Sequence, residues 1–521
     1  MKKFMSRVEI MDTTLRDGEQ TSGVSFAPQE KLSLARLLLT DMKVDRIEVA
    51  SARVSEGERQ AVGRIMEWAL RTGGETMLRR VEVLGFVDGG VSLKWIAECG
   101  GRVVNLLTKG SEKHCRYQLR KTLDEHVEDI RREVQRAETM GIGVNVYLED
   151  WSNGMRHSAD YVYAMIDALR DLPIRRFMLP DTLGIFEPWE CFAACRAMVE
   201  RYPDLWFDFH AHNDYDLAVA NTLAAVRAGI GGVHTTVNGL GERAGNAPLS
   251  SVIAALHDHL HVEIGVDEAR TNHVSTVVES YSGIRIPANK PVIGENVFTQ
   301  CAGIHADGDN KNNLYFNDLL PERFGRTRQY ALGKSSGKAN IRKNLEMLGI
   351  ELDEESMIRV TQYIVELGDR KEIVTAEDLP YIVSDLLGTA GDGMTDAVRI
   401  LNYSLSVAQG LRPVATVKIE IHGQTYQQTS AGDGQYDAFV SAVEAIYKEQ
   451  LGREFPTLLD YSVSIPPGGR TDAFVQTLIT WESGGARFKT RGLDADQTVA
   501  AIKATVKMLN KIENNINIAK S

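Results

Sequence analysis

The stretch Leu205-Trp206-Phe207-Asp208-Phe209-His210-Ala211-His212-Asn213-Asp214 reads as an apolar strand that ends in two histidines one residue apart. Strand side chains alternate between faces, so the two imidazoles project to the same side. Two imidazoles on one face, at the exit of a buried strand, make half of a divalent-metal site. Similar β-rich runs recur at Val8–Met11, Arg46–Ala50, Val81–Phe86, Val103–Leu107, Gly143–Leu148, Arg176–Leu179 and Gly232–Val237. Between them lie segments with apolar residues at helical spacing, among them Ala61–Leu70, His126–Met140, Ser158–Leu169 and Leu217–Ala228. This alternation predicts an α/β chain whose first part is a (β/α)8 barrel. A doubly wound open sheet is the alternative. It fits less well, because polar residues follow nearly every strand: Arg16 and Asp17, Ser51, Glu149, Asp181 and Thr182, His210 and His212, then Asn238 and Asn246. In a barrel those strand ends share one face, where catalytic groups gather.

The chain has 521 residues, which is too long for one ordinary core and implies two or three domains. It is 43% hydrophobic and 25% charged, as expected of a globular protein. A formal charge of −12 argues against nucleic-acid and anionic-membrane partners, though not against a small anionic substrate. The five cysteines are sparse and odd in number, so no disulfide framework is implied and a cytoplasmic location is expected. The basic start, MKKFMSRVEI, lacks an apolar leader segment, and no apolar run approaches a membrane span.

Beyond the barrel, expected over 1–275, a helical accessory region is expected over 276–394, with polar, Gly-containing loops such as Gly303-Ile304-His305-Ala306-Asp307-Gly308 and a helix near Glu355–Leu367. Residues 395–521 hold an internal repeat. One half runs through Val414–Ile421, Thr429–Asp433 and a helix from Asp437 to Ile446. The other runs through Ala473–Trp481, Thr490–Asp494 and a helix from Asp496 to Leu509. A duplicated α+β unit suits a pseudo-twofold module, either for dimerisation or for an effector, and the two uses are compatible.

Several residues could complete the metal site. The first strand ends Asp12-Thr13-Thr14-Leu15-Arg16-Asp17-Gly18-Glu19-Gln20. Asp17 offers a hard oxygen ligand, and a site of two imidazoles and one carboxylate leaves positions open for water and substrate. A 2-oxo acid could chelate there through its carboxylate and keto oxygens. Arg16, fixed in positive charge, could stabilise an oxyanion. Taken alone, Arg16 and Asp17 would pass for a surface pair in a glycine turn. The run Asn238–Asn246 is glycine-rich but misses the dinucleotide spacing, and more plausibly brings Asn246 close to the metal. Gly333-Lys334-Ser335-Ser336-Gly337-Lys338 likewise lacks P-loop spacing. Glu149 and His305 would each be weak signals alone.

Together the Thr14–Gln20, His210–Asp214 and Asn238–Asn246 runs, with Gly294-Glu295-Asn296 and Gly303-Ile304-His305, resemble the acyl-CoA-condensing branch of the DRE-TIM metallolyases. That branch includes isopropylmalate, homocitrate and citramalate synthases. The resemblance spans essentially the whole chain. The Cys-bearing glycine loop of the related hydroxymethylglutaryl-CoA lyases is absent, which favours synthesis over cleavage. The segments Glu48–Ser55, Leu84–Gly89, Asn105–Gly110 and Tyr147–Gly154 look like the citramalate-forming type. The Gly-Phe-Pro and Ser-Asp-Ile-His of typical isopropylmalate synthases are not present.

The resemblance implies a divalent metal (Mn, Mg or Zn) held by Asp17, His210 and His212 with Asn246 close by. It implies that Arg16 and Thr182 contact the oxo acid, and that Leu84, Leu107 and Tyr147 line a pocket that admits only the pyruvate methyl. Glu149 and His305 resemble the pair that handles the methyl proton of the co-substrate acetyl-CoA. Tyr436 and Asp437 fall in the stretch resembling an effector site for a branched-chain amino acid, with isoleucine expected and leucine left open. The His305 loop implies an obligate homodimer. The expected reaction is a Claisen-type condensation with thioester hydrolysis, giving (R)-citramalate on the route to isoleucine. The nearest rival is condensation with 2-oxoisovalerate. More remote are a metal-dependent aldolase or lyase and a non-catalytic amino-acid sensor.

Overall fold

A computed structural model of the chain describes residues 7–311, 314–369, 374, 376–387, 397–464 and 475–513. Eight parallel strands close into a barrel: β1 (Glu9–Asp12), β2 (Arg46–Ser51), β3 (Val81–Phe86), β4 (Val103–Lys109), β5 (Gly143–Glu149), β6 (Ile174–Asp181), β7 (Phe207–Ala211) and β8 (Gly232–Thr235). Neighbours pair in chain order, and β1 closes on β8 from Glu9–Gly232 to Asp12–Thr235. The open-sheet alternative therefore falls, and the strand ends that carry polar residues share one face.

Alternation along each strand sorts side chains to two cores. On β4, Val104 and Leu106 point outward into the large apolar layer between barrel and helices. Leu107 points inward, where it packs on Met11, Leu84, Tyr147 and Met178. Burying an aliphatic side chain contributes about 1.5–3 kcal/mol, so reversing this register would forfeit much of the outer core.

Beneath the inner apolar cluster, toward the strand starts, the barrel is filled by charge. Arg46 on β2 reaches Asp208 at 2.6 Å, Glu82 at 3.1 Å and Glu9 at 3.3 Å. Arg176 adds contacts of 2.8 Å to Glu9 and 3.5 Å to Asp208. Removing one member of such a buried network leaves an uncompensated charge, typically costing about 3–5 kcal/mol.

Asp12 is a separate buried acid, 1% exposed. One oxygen accepts the Thr14 amide at 3.0 Å, and the other has no partner among the described residues. Burial pushes its carboxyl up to about 7 from an ordinary 3.8. The fold therefore keeps a proton that the unfolded chain releases as pH rises through this window, so stability falls with rising pH. Asp12→Asn should remove the effect. Between pH 5 and 8 the wild type should lose about 2–3 kcal/mol relative to the variant, read as diverging unfolding curves. Parallel curves would refute a neutral buried Asp12.

The chain groups into two compact units. The first is Met1–Val297 with Asn317–Arg326, and the second is Phe298–Phe316 with Thr327–Ser521. The helical region expected over 276–394 thus contributes to both. The returning segment is fixed to the first unit by Arg323, which meets Asp258 at 2.7 Å and Glu268 at 2.9 Å. In the second unit, the helices Lys338–Met347 and Glu354–Asp369 bury Ile341, Leu345, Met357, Val360 and Ile364 in a small core of their own.

The repeat carries one more strand per half than the sequence suggests. Val398–Ser406, Val414–Ile421 and Gln424–Ala431 form one antiparallel sheet, followed by the helix Gln435–Ala445. Thr457–Ser464, Val475–Ser483 and Ala486–Asp494 form the other, followed by Gln497–Glu513. The strand expected over Ala473–Trp481 begins at Val475 in the described residues. The added strands, Val398–Ser406 and Thr457–Ser464, are edge strands that leave Leu401, Leu458, Leu459 and Val463 exposed. Both carry a short alternation, Tyr403 and Leu405 in one and Leu459, Tyr461 and Val463 in the other, set between polar residues. No described helix is long and apolar enough to cross a membrane.

Candidate metal centre and active site

The turn after β1 is tight: the amides of Arg16, Asp17 and Gly18 all donate to the Thr13 carbonyl, at 3.1, 2.8 and 3.1 Å. It carries the Asp17 carboxylate under the end of β7. There Oδ2 lies 3.1 Å from Nε2 of His210 and 3.9 Å from Nε2 of His212. One ligand atom from each of the three lies within 4.8 Å of the others, and all three residues are buried. Asn213, not a histidine, serves the next helix, its Oδ1 accepting the Ala218 amide at 3.1 Å.

Asn246 joins this group through a bridge between its backbone and that of His212. Its Nδ2 donates to the Leu240 carbonyl at 3.1 Å, while its buried Oδ1 has no partner among the described residues. The glycines of this loop make room for it. Gly241 has φ +149°, and a Cβ there would lie 2.2 Å from the Asn246 amide nitrogen. Gly245 has φ +86°, and a Cβ there would lie 1.9 Å from the Gly239 carbonyl oxygen.

Charge favours the ligand-ready forms. Burial alone would raise the Asp17 carboxyl, but Arg16 and His210 outweigh it and hold the group well below the usual carboxylate range. Burial, then the neighbouring His210, pushes the His212 imidazole down to about 4. Two imidazoles, one carboxylate and an unpartnered amide oxygen suit Zn, Mn or Mg, so the residues present fit a divalent ion. The Nδ1 atoms of both rings lack hydrogen-bond partners among the described residues. Ring orientation therefore rests on the Nε2 contact with Asp17 and on edge-on packing, His210 against Tyr147 at 6.1 Å and against His212 at 5.1 Å.

Arg16 is held from three sides. Its Nε donates to Glu48 at 2.6 Å, Nη1 lies 3.2 Å from Asp17, and Nη2 reaches the Tyr147 hydroxyl at 3.4 Å. Glu48, fully buried on β2, also accepts from Thr13 Oγ1 at 2.7 Å and Asn105 Nδ2 at 2.8 Å. Sequence reasoning gave Glu48 no role. The available signal was the pair Arg46 and Glu48, two charges at period two on a strand otherwise built of Ile, Val and Ala. Lys31, also fully buried, braces the same corner: its Nζ donates to the Leu15 carbonyl at 3.2 Å and pairs with Glu19 and Glu58.

Leu84, Leu107 and Tyr147 do come together, on β3, β4 and β5, in the inner cluster with Met11 and Met178. Thr182 follows β6, and its hydroxyl oxygen accepts the Asp150 amide at 2.9 Å, which leaves its hydrogen available to another acceptor. Glu149 ends β5 against the ammonium of Lys109, an ion pair that the sequence did not suggest. His305 lies in the second unit, on the helix Gly303–Asn310, with its ring 4.3 Å from that of Tyr315. Tyr436 and Asp437 also lie there, in the first turn of Gln435–Ala445. They line a cavity of about 500 Å³ with Gly434, Leu458, Tyr461 and Thr498. Tyr436 bonds Thr505 at 2.8 Å, and Asp437 accepts the Asp433 amide at 2.7 Å.

Comparison with known proteins agrees with this layout. The model of an HMGL-like family matches residues 7–278, that of a homocitrate synthase post-HMGL domain 292–372, and that of a LeuA allosteric (dimerisation) domain 373–513. A putative (R)-citramalate synthase of Methanopyrus kandleri is 36% identical over 97% of this chain and 96% of its own. A probable 2-isopropylmalate synthase of the same organism is 35% identical over 97% and 98%. The (R)-citramalate synthase of Methanocaldococcus jannaschii is 32% identical over 97% of this chain and 100% of its own. The chain belongs to the citramalate and isopropylmalate synthase family. Of the segments matched here, the HMGL-like one carries the Asp17, His210, His212 and Arg16 cluster. The LeuA allosteric one carries the cavity at Tyr436 and Asp437.

Proposed function

We propose that this chain condenses acetyl-CoA with pyruvate and water to give (R)-citramalate and free CoA, working as a homodimer on the route to isoleucine. The observation that carries this reading is the inner cluster of Leu84, Leu107 and Tyr147 beside Arg16. It offers an apolar wall next to a cation, and its volume is taken up by Tyr147. Relatives at 35 and 36% identity bear both synthase names, so the overall likeness does not choose the oxo acid.

Asp17, His210 and His212 would hold the metal, with Asn246 presenting its amide oxygen. When bound, a divalent ion supplies Lewis acidity toward the oxygens of the oxo acid. Thr182 donates its hydroxyl hydrogen to the substrate carboxylate. Arg16, pinned by Glu48, faces the keto oxygen and stabilises the negative charge that develops there. Glu149 takes a proton from the acetyl methyl group, and His305 of the partner subunit assists it. The methyl carbon then bonds to C2 of pyruvate as the C2–oxygen π bond opens to an alkoxide that takes up a proton, and water cleaves the thioester to a carboxylate and free CoA. Holding both carbons in attack geometry supplies a large share of the rate.

Thiol release from acetyl-CoA, assayed separately with pyruvate and 2-oxoisovalerate, tests the choice of acid. A higher kcat/KM on pyruvate is expected, because a branched side chain would clash with Tyr147. A higher value on 2-oxoisovalerate would replace this reading with isopropylmalate synthesis.

The cavity at Tyr436 and Asp437 is proposed as the isoleucine site. The start of the helix Gln435–Ala445, which no side chain caps, suits an amino-acid carboxylate, and the Asp437 and Asp496 carboxylates in the same lining suit its ammonium group. Asp437→Ala should raise the isoleucine concentration for half-inhibition by about tenfold, worth about 1.4 kcal/mol, without lowering basal thiol release. Unchanged sensitivity would move the effector elsewhere.

A further inference from the structure

Tyr147 belongs to two environments at once. Its ring closes the inner apolar cluster, and its hydroxyl enters a string of buried polar groups that runs down the barrel. The hydroxyl lies 2.9 Å from Nδ1 of His234 on β8, and Nε2 of His234 lies 3.2 Å from Oδ2 of Asp208 on β7. Asp208 also accepts Arg46 Nη2 at 2.6 Å and the Trp206 indole N–H at 2.8 Å.

The direction of each hydrogen follows from this chain. A carboxylate in an ion pair only accepts, so the hydrogen between His234 and Asp208 sits on Nε2. A ring that carries its hydrogen on Nε2 accepts at Nδ1, the atom that faces the Tyr147 hydroxyl. Tyr147 therefore donates to His234. Its remaining lone pair faces Nη2 of Arg16 at 3.4 Å. No hydrogen is left to point at a ligand.

We infer that His234 and Asp208 fix the Tyr147 hydroxyl hydrogen away from the oxo-acid pocket, so that the pocket accepts a methyl group and rejects a second carboxylate. The inference rests on the pocket assignment made above. A buried carboxylate needs donors, and an acceptor-only wall leaves it unpaired, whereas a methyl needs none. His234 is buried behind Tyr147 and acts through it, as a positioning residue.

Mesoxalate, which carries a carboxylate where pyruvate carries its methyl, is the probe. Binding of each acid to the manganese-loaded full-length protein is read by calorimetry, without turnover. The wild type should prefer pyruvate. His234→Phe removes the acceptor and frees the hydroxyl hydrogen, so relative affinity for mesoxalate should rise at least about tenfold. His234→Gln, whose amide can both accept from Tyr147 and donate to Asp208, should restore the wild-type preference. Adding Tyr147→Phe to His234→Phe should abolish the gain. Equal weakening toward both acids would mark His234 as merely structural and overturn the inference. So would a wild-type preference for mesoxalate, or a histidine N–H signal at Nδ1 of His234 in nitrogen NMR. A protein that shows the pyruvate preference but never releases thiol would instead sink the proposed condensation and leave this inference standing.

Discussion

His212→Ala should lower thiol release by at least about 1000-fold, a loss of about 4 kcal/mol of transition-state stabilisation, while the barrel stays folded. The separation of these effects follows from where the ring sits. His212 is 7% exposed beyond the end of β7, and its Nδ1 has no hydrogen-bond partner among the described residues. Its Nε2 faces Asp17 and not a structural acceptor. Truncation therefore breaks no backbone tether. It also removes one of two neighbouring imidazoles that cost energy if both are charged. Metal content per chain after dialysis, thiol release and thermal unfolding together check the prediction. Full activity in the variant with a chelator present would show that the cluster is not a metal site.

Arg16→Lys should cost about 100- to 1000-fold in kcat, with a smaller change in KM for the oxo acid. The guanidinium makes three directed contacts, to Glu48, Asp17 and Tyr147, which one ammonium cannot reproduce. Glu48 is fully buried and would keep its neutral donors Thr13 and Asn105 but lose its charge partner. The defect should thus appear mostly as misplacement of positive charge in the transition state. Glu48→Gln tests the same link from the other end. It keeps the shape but loosens Arg16, and should lower kcat by a smaller factor. A wild-type kcat in Arg16→Lys would show that charge alone, without direction, serves the reaction.

The barrel was legible because its signal is repetition: short β-rich runs separated by helical periodicity, with polar residues at each strand exit. The same reasoning singled out Asp17, His210 and His212, which the fold brings together, because metal-type residues at strand ends stand out from their surroundings. It missed Glu48, His234 and Asp208 for a physical reason. They lie inside strands, where a lone polar residue is indistinguishable from a surface position until the barrel closes and turns it inward. Lys109 was missed because an ion pair between β4 and β5 depends on their register, which no local pattern specifies. The leading strands of the C-terminal halves carry a short alternation, at Tyr403 and Leu405 and at Leu459, Tyr461 and Val463, which a repeat taken to begin at Val414 and Ala473 leaves out.

The path of the chain around Arg323 has a further consequence. After Val297 the chain leaves the first compact unit, carries the His305 helix, and is brought back over Asn317–Arg326 before leaving again. His305 therefore rides on a loop pinned at both ends and not on a free arm. Closing such a loop costs entropy once, at folding, and the cost grows only slowly with length.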